Sequence, residues 1–212
     1  MNWASRHRVT YPWRRTRDPY RILVSEFMLH RTQAKQVVSV YAEFVRRYPT
    51  LRAFIGGNRR AARRLLNRLG LAWRADGMIE ALAMLSRQYD SVPTDYDALI
   101  ATAGIGPYIA GATVAFSENR SIALVDSNTV RVVGRVFGLD LRGEARRRRE
   151  VTECLRAVVH PSRPREYHYA LIDLAHEICR PKSPLCGVCP LLSLPCEYGR
   201  MHVTSKTGET RR

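Results

Sequence analysis

Apolar residues recur at helical spacing along almost the whole of this chain, which leaves little room for a sheet. Asp18-Pro19 reads as an N-cap with proline at the first helical position, opening a helix that runs to about Arg31. Helical patterns continue over 34–48, 59–69, 75–89, 96–103, 108–117, 128–137, 144–159 and 167–179. The breaks between them are short: Pro49-Thr50, Gly56-Gly57, Ser91-Val92-Pro93, Gly104-Ile105-Gly106-Pro107 and His160-Pro161. Only 121–125 is apolar without a helical period, and it is too short to decide between strand and coil. The expected fold class is all-α, and 199–212 is expected as a flexible tail.

Composition narrows the class of partner. Lys and Arg number 35 against 19 Asp and Glu, a formal net charge of +16. Only Lys35, Lys182 and Lys206 are lysines, which leaves 32 arginines. Such a surplus on a folded chain calls for a polyanion, and nucleic acid is the first candidate; a composition bias toward arginine is the alternative reading. The hydrophobic share of 45% is that of a globular protein and excludes a mainly disordered basic tail. No apolar run reaches the roughly 20 residues that cross a bilayer. The segment 1–8 has no apolar stretch of the secretory kind, so a soluble, basic, intracellular protein is expected. The run Arg146–Arg149 lies within a helical pattern and reads as a solvated face.

Four of the five cysteines, Cys179, Cys186, Cys189 and Cys196, are spaced C-x6-C-x2-C-x6-C. Without a secretory signal, disulfides are disfavoured and the group reads as a metal site. Zinc usually recruits two close pairs, and only Cys186 and Cys189 make one, so an iron–sulfur cubane suits the spacing at least as well. Cys154 stands apart and reads as a small buried apolar residue.

Two carboxylates and a glycine turn complete the candidates. Gly104-Ile105-Gly106 separates two helical stretches, with Pro107 placed to start the second, so backbone N–H groups there could receive a phosphate. Asp126 precedes the 128–137 helix and is either an N-cap or a carboxylate turned toward a ligand. Glu26 lies among Ile22, Leu23, Val24, Phe27, Met28 and Leu29. A carboxyl in so apolar a stretch is either salt-bridged or raised in pKa, the second suiting a general acid.

Taken together these residues resemble the helix–hairpin–helix DNA glycosylases of the endonuclease III superfamily. The likeness runs from about Tyr11 to Tyr198 and rests on four stretches. These are Tyr11-Pro12-Trp13-Arg14 through Arg17-Asp18-Pro19-Tyr20; Ser25-Glu26-Phe27-Met28-Leu29-His30-Arg31-Thr32-Gln33; Gly104-Ile105-Gly106-Pro107-Tyr108 to Gly111-Ala112 with Val125-Asp126-Ser127-Asn128; and the cysteine loop. Two departures stand out. The last cysteine interval holds six residues where the family usually has five, and Thr102-Ala103-Gly104 replaces the usual Leu-Pro-Gly.

The resemblance implies a six-helix lobe over 22–132 and a second lobe from 1–21 plus 133–198, with a [4Fe-4S] cluster on Cys179, Cys186, Cys189 and Cys196. It implies base flipping and cleavage of the N-glycosidic bond in double-stranded DNA carrying a mismatch, by a monomer. Asp126 would stabilise the oxocarbenium-like sugar, and Glu26 would protonate the leaving base. Gly104, Ile105 and Gly106 would hold a phosphate through their N–H groups, while His30, Arg31, Thr32 and Gln33 would enter the space of the flipped base. Tyr108 stands where bifunctional relatives carry the Schiff-base lysine; a phenol cannot form one, so little or no strand cleavage is expected.

Mismatch thymine glycosylases of the Mig type and some MutY adenine glycosylases share that tyrosine. His30-Arg31-Thr32, Leu71-Ala72-Trp73 and the short chain after the cysteine loop favour thymine or uracil opposite guanine. Ser25–Leu29 and Tyr108–Ala112 read more like the adenine enzymes, which act opposite guanine or oxidised guanine. A non-catalytic DNA-binding protein on the same fold is the third reading.

Overall fold

A computed structural model of the chain describes residues 2–7, 9–70 and 72–201. In chain order the helices are α1 (Asn2–Arg6), α2 (Pro19–Leu29), α3 (Ala34–Arg47), α4 (Leu51–Ile55), α5 (Arg59–Asn67), α6 (Ala72–Gln88), α7 (Tyr96–Ile100), α8 (Pro107–Glu118), α9 (Ser127–Phe137), α10 (Arg149–Val158) and α11 (Pro164–Glu177). Short 3₁₀ turns occupy Pro12–Arg15, Ala145–Arg147 and Cys186–Val188. Among the described residues there is no strand, and 121–125 is extended coil. No described helix is long and apolar enough to cross a membrane.

The chain separates into two compact units, Thr10–Arg120 and the described residues before Thr10 together with those from Ser121 on. These bounds differ from the expected 22–132, for reasons visible in each unit. Trp13 meets Tyr41 of α3 edge-on at 5.4 Å, and Tyr20 Oη donates to the Tyr48 carbonyl at 2.9 Å, which ties 10–21 to the first unit. At the other end, Val130 and Val133 of α9 share a cluster with Val151 and Leu155 of α10, so α9 belongs wholly to the second unit.

The first unit is built around α2, whose residues 22–28 are all buried and whose main neighbour is α8. Asp18 starts α2 as expected, its Oδ1 accepting from Tyr20 N at 2.9 Å and Arg21 N at 3.4 Å. α8 buries mostly small residues along Ala110–Ser117, and small side chains let two helices approach closely. Thr113 and Ser117 donate their hydroxyls back to the carbonyls of Ile109 and Thr113 at 2.8 and 2.7 Å, so this interior keeps no stranded polar group at those positions. Phe44, Tyr48 and Phe54 pack ring on ring nearby, each such burial contributing about 2 kcal/mol.

Several expected boundaries move. α2 stops at Leu29 because His30 takes extended backbone (ψ 109°), with Arg31 following at a left-handed φ of +59°. α4 fills the stretch between the breaks at Pro49-Thr50 and Gly56-Gly57, where no helical pattern was expected, and is capped by Thr50 Oγ1 on Ala53 N at 3.1 Å. The expected 144–159 helix is broken at Arg148, which is extended (ψ 130°), so the run Arg146–Arg149 straddles a 3₁₀ turn and the start of α10 rather than one helical face. Residues 197–201 wind into a helical turn, which shortens the expected tail; 202–212 lie outside the described residues. Cys154 packs against the α9–α10 cluster, as an apolar residue would.

In the second unit His168 of α11 is 2% exposed and donates from Nε2 to the Ile122 carbonyl at 2.8 Å, holding the coil that leads to Asp126. Burial penalises the charged ring and pulls its pKa from 6.5 down to about 4, the hydrogen bond opposing only in part. The unfolded chain therefore takes this proton first as pH falls, and stability is lost between about 6.5 and about 4. Between pH 7 and 4.5 we expect this ring to remove on the order of 2–3 kcal/mol. Urea unfolding of His168→Gln, which keeps a donor for Ile122, should lack that part of the pH dependence; identical slopes for both proteins would refute the assignment.

Candidate active site

Within the first unit two packed helices carry Glu26 and Tyr108, with the glycine turn leading into α8 and His30–Gln33 following α2. Glu26 sits in mid-α2, 6% exposed, and Tyr108 in the first turn of α8, half-buried. Gly104 needs its lack of a side chain: φ is +87°, and a Cβ would stand 3.3 Å from the Gly77 carbonyl oxygen. Gly106 has an ordinary φ of −83° and open space beside it. It caps α8 without any side-chain cap, so the N–H groups of an apolar twelve-residue helix end face outward, a setting suited to an anion.

One expectation is corrected here. Ile105 donates its N–H to the Thr102 carbonyl at 3.1 Å and buries its side chain, so it closes the turn instead of offering a donor to a phosphate.

After α2 the chain turns through His30, Arg31, Thr32 and Gln33. His30, Arg31 and Gln33 are exposed and Thr32 is half-buried. The His30 ring meets Trp73, itself 55% exposed, edge-on at 5.8 Å.

Asp126 belongs to the second unit and is the N-cap of α9. Its Oδ1 accepts from Asn128 N at 2.9 Å and Thr129 N at 2.7 Å, while Thr129 Oγ1 accepts from Asp126 N at 3.0 Å, a reciprocal capping box. Oδ2 accepts from Asn128 Nδ2 at 3.0 Å. The carboxylate is thus half-buried, fixed in orientation and set against the positive end of a helix. The two sequence readings of Asp126 are compatible, because capping uses chiefly one oxygen.

Sequence reasoning missed what surrounds it. Arg131, one turn on, donates from Nη2 to Asn128 Oδ1 at 3.0 Å and the Ala175 carbonyl at 3.0 Å, and from Nε to the Cys179 carbonyl at 2.9 Å. Arg135 reaches the carbonyls of Arg180 at 2.6 Å and Pro181 at 2.9 Å, the Cys179 sulfur at 3.4 Å, and lies 4.6 Å over the Tyr198 ring. In a chain with 32 arginines neither position carried a signal of its own.

The four cysteines line one pocket with Val132, Leu174, Ile178 and Tyr198. The six-residue interval still delivers Cys196, the added length being taken up in turns closed by Leu192 N to Cys189 O at 3.0 Å and Leu194 N to Leu191 O at 3.0 Å. Burial pushes the Cys189 thiol up, a backbone hydrogen bond from Leu191 opposes in part, and the sulfurs of Cys179, Cys196 and Cys186 add to the rise. Gly199 N lies 3.4 Å from Cys196 Sγ as a donor. No carboxylate or imidazole lines this pocket, so its donor set is purely thiol. Among the described residues no three such side chains stand close enough to hold a metal ion in their present positions. A cubane cluster, whose irons spread the ligands apart, fits an all-thiol pocket better than a single small ion does.

Comparison with known proteins agrees with this architecture. No protein-family model matches the chain. It is 35% identical over 196 residues to a thymine-DNA glycosylase of Aeropyrum pernix, covering 88% of this chain and 86% of the relative. It is 34% identical over 194 residues to an adenine DNA glycosylase of Mycobacterium tuberculosis, covering 90% of this chain and 64% of that one. A solved thermostable thymine-DNA glycosylase superposes with a TM-score of 0.83 at 28% identity, over 94% of this chain and 93% of its own. The chain belongs to the helix–hairpin–helix DNA glycosylases of the endonuclease III superfamily.

Proposed function

We propose that this chain is a monofunctional glycosylase of base excision repair that flips out and releases thymine or uracil mispaired with guanine, working as a monomer on double-stranded DNA. The observation that carries the reading is its likeness to thymine-DNA glycosylases in both sequence and fold across nearly the whole of each chain.

In this reading the N-glycosidic bond breaks as positive charge develops on the sugar. The Asp126 carboxylate, fixed by its cap bonds, stabilises that charge and orients a water whose oxygen bonds to C1′ as its proton passes to the carboxylate. Glu26 delivers a proton to the departing base. Gly104, Gly106 and the start of α8 hold a backbone phosphate, and His30, Arg31, Thr32 and Gln33 fill the space left in the stack. Cys179, Cys186, Cys189 and Cys196 would hold a [4Fe-4S] cluster, which when bound supplies a rigid, redox-active crosslink of the C-terminal loop.

Labelled duplexes carrying G:T, G:U, G:A or oxidised-G:A pairs, treated with protein and then alkali, test the substrate. Alkali-dependent breaks at T and U are expected. Breaks only at A would establish the adenine reading, which the 34% identity to the mycobacterial adenine enzyme favours, and would leave the catalytic roles standing.

Tyr108 bears on the reaction type. Its phenol cannot form a Schiff base with the sugar, so wild-type protein should leave the abasic strand intact before alkali. Tyr108→Lys should yield a covalent protein–DNA adduct under borohydride. Absence of any adduct from a folded, DNA-binding variant would show that position 108 does not face the sugar.

A further inference from the structure

Arg74, in the first turn of α6, has no part in the chemistry above, yet it is 4% exposed and fully engaged. Its Nη1 donates to the His30 carbonyl and, at 2.6 Å, to Thr32 Oγ1. Its Nη2 donates to the carbonyls of Leu69 at 3.1 Å and Gly70 at 3.3 Å. One planar guanidinium thus joins two turns far apart in sequence, the turn after α2 and the turn that enters α6. All its partners here are neutral, and burial pulls its pKa below the usual arginine value. Burying a charge against neutral acceptors is costly unless the donors are well satisfied, and here four bonds satisfy them.

The turn that Arg74 holds does not maintain itself. Arg31 sits at φ +59°, a region that is strained for a side-chain-bearing residue. His30, Arg31 and Gln33 project outward from it, so the one buried cation of this region anchors the turn's inner face while its outer face is exposed. Trp73, the neighbour of Arg74 in the chain, braces the His30 ring from the side.

We propose that Arg74 is the positioning residue that holds the His30–Gln33 turn in the shape that enters the DNA stack. The proposal rests on the reading that this turn fills the gap left by the flipped base. Binding to undamaged duplex, which draws on phosphate contacts at the hairpin and on the net charge, does not depend on Arg74; opening of the stack does. Lysine keeps the charge but lacks the planar fork, so it cannot hold both turns in the same geometry.

The test uses G:T and G:A duplexes with 2-aminopurine beside the mispaired T or A, whose fluorescence rises when the stack opens. Arg74→Met is expected to lose about tenfold of the enhancement given by wild type, with Arg74→Lys intermediate, while affinity for a fully paired duplex stays within roughly twofold. Arg74→Gln, which keeps amide donors for part of the acceptor set but lacks the fork, should lose about threefold and so serves even if Arg74→Met fails to fold. Unchanged enhancement in Arg74→Lys and Arg74→Gln overturns the proposal alone. Equal loss of paired-duplex affinity and enhancement overturns it in favour of a purely structural role. Wild type without enhancement on either duplex sinks the insertion reading, and the proposal with it.

Discussion

Asp126→Asn is expected to lower base release on the order of 10³-fold while leaving fold and DNA affinity nearly intact. The separation is possible because of how the residue is held. Asparagine is as good an N-cap as aspartate, so its amide oxygen can keep the bonds from Asn128 N and Thr129 N, now at 2.9 and 2.7 Å. What disappears is the negative charge, together with the second oxygen that accepts from Asn128 Nδ2. The stability change should therefore stay within about 1 kcal/mol. Single-turnover release on the preferred mismatch, beside a melting curve and a binding isotherm, separates the two effects. Release at the wild-type rate would remove Asp126 from the mechanism, and a matching collapse in melting temperature would reduce it to a helix cap.

The second large effect concerns the cysteine pocket. Purified protein should carry about four irons per chain, and Cys189→Ala should lose them. Cys189 lines the pocket together with the other three cysteines. Without the crosslink, the loop from Cys179 to Cys196 keeps its turn hydrogen bonds, the Arg135 bonds to Arg180 and Pro181 and the packing of Leu191, while Leu185, Val188, Leu192 and Leu194 are exposed. Melting temperature is expected to fall by about 10 °C, which corresponds to about 4 kcal/mol for a chain of this size. Iron analysis and a melting curve on both proteins decide the matter. One zinc per chain in the wild type would replace the cluster by a single-ion site, and no metal at all would remove both.

How much of this was legible beforehand depended on whether the signal was local. Asp18-Pro19 and Asp126 announce helix starts by their own chemistry, and both caps are found. The hairpin glycines were legible as a turn, but only backbone geometry shows that Gly104 needs a positive φ while Gly106 does not, and that the Ile105 N–H closes the turn. α4 was missed because five residues between Thr50 and Gly56 are too few to display a period. The 144–159 helix was overextended because Arg148 takes extended backbone that no propensity marks. The unit boundary was displaced because Trp13 and the α9 valines choose their partners through contacts distant in sequence. Arg74, Asn128 and Arg131 matter through what lies across from them, and in so arginine-rich a chain composition hides them.

The α2–α8 seam also shapes which variants this protein can tolerate. Glu26 rides on one helix and Tyr108 on the other, and α8 buries Ala110, Gly111, Ala112 and Ala115 beside Val114 and Phe116, its Thr113 and Ser117 hydroxyls already bonded to their own backbone. A side chain larger by one or two carbons at Ala110, Ala112 or Ala115, each wholly buried, overpacks the interior around α8 and strains the seat of both helices. In a saturation-mutagenesis survey these alanines should score as severely as Tyr108, although none of them is a candidate to touch DNA. Depletion of variants along a helix can therefore trace the bearing on which a site is mounted as faithfully as the site itself.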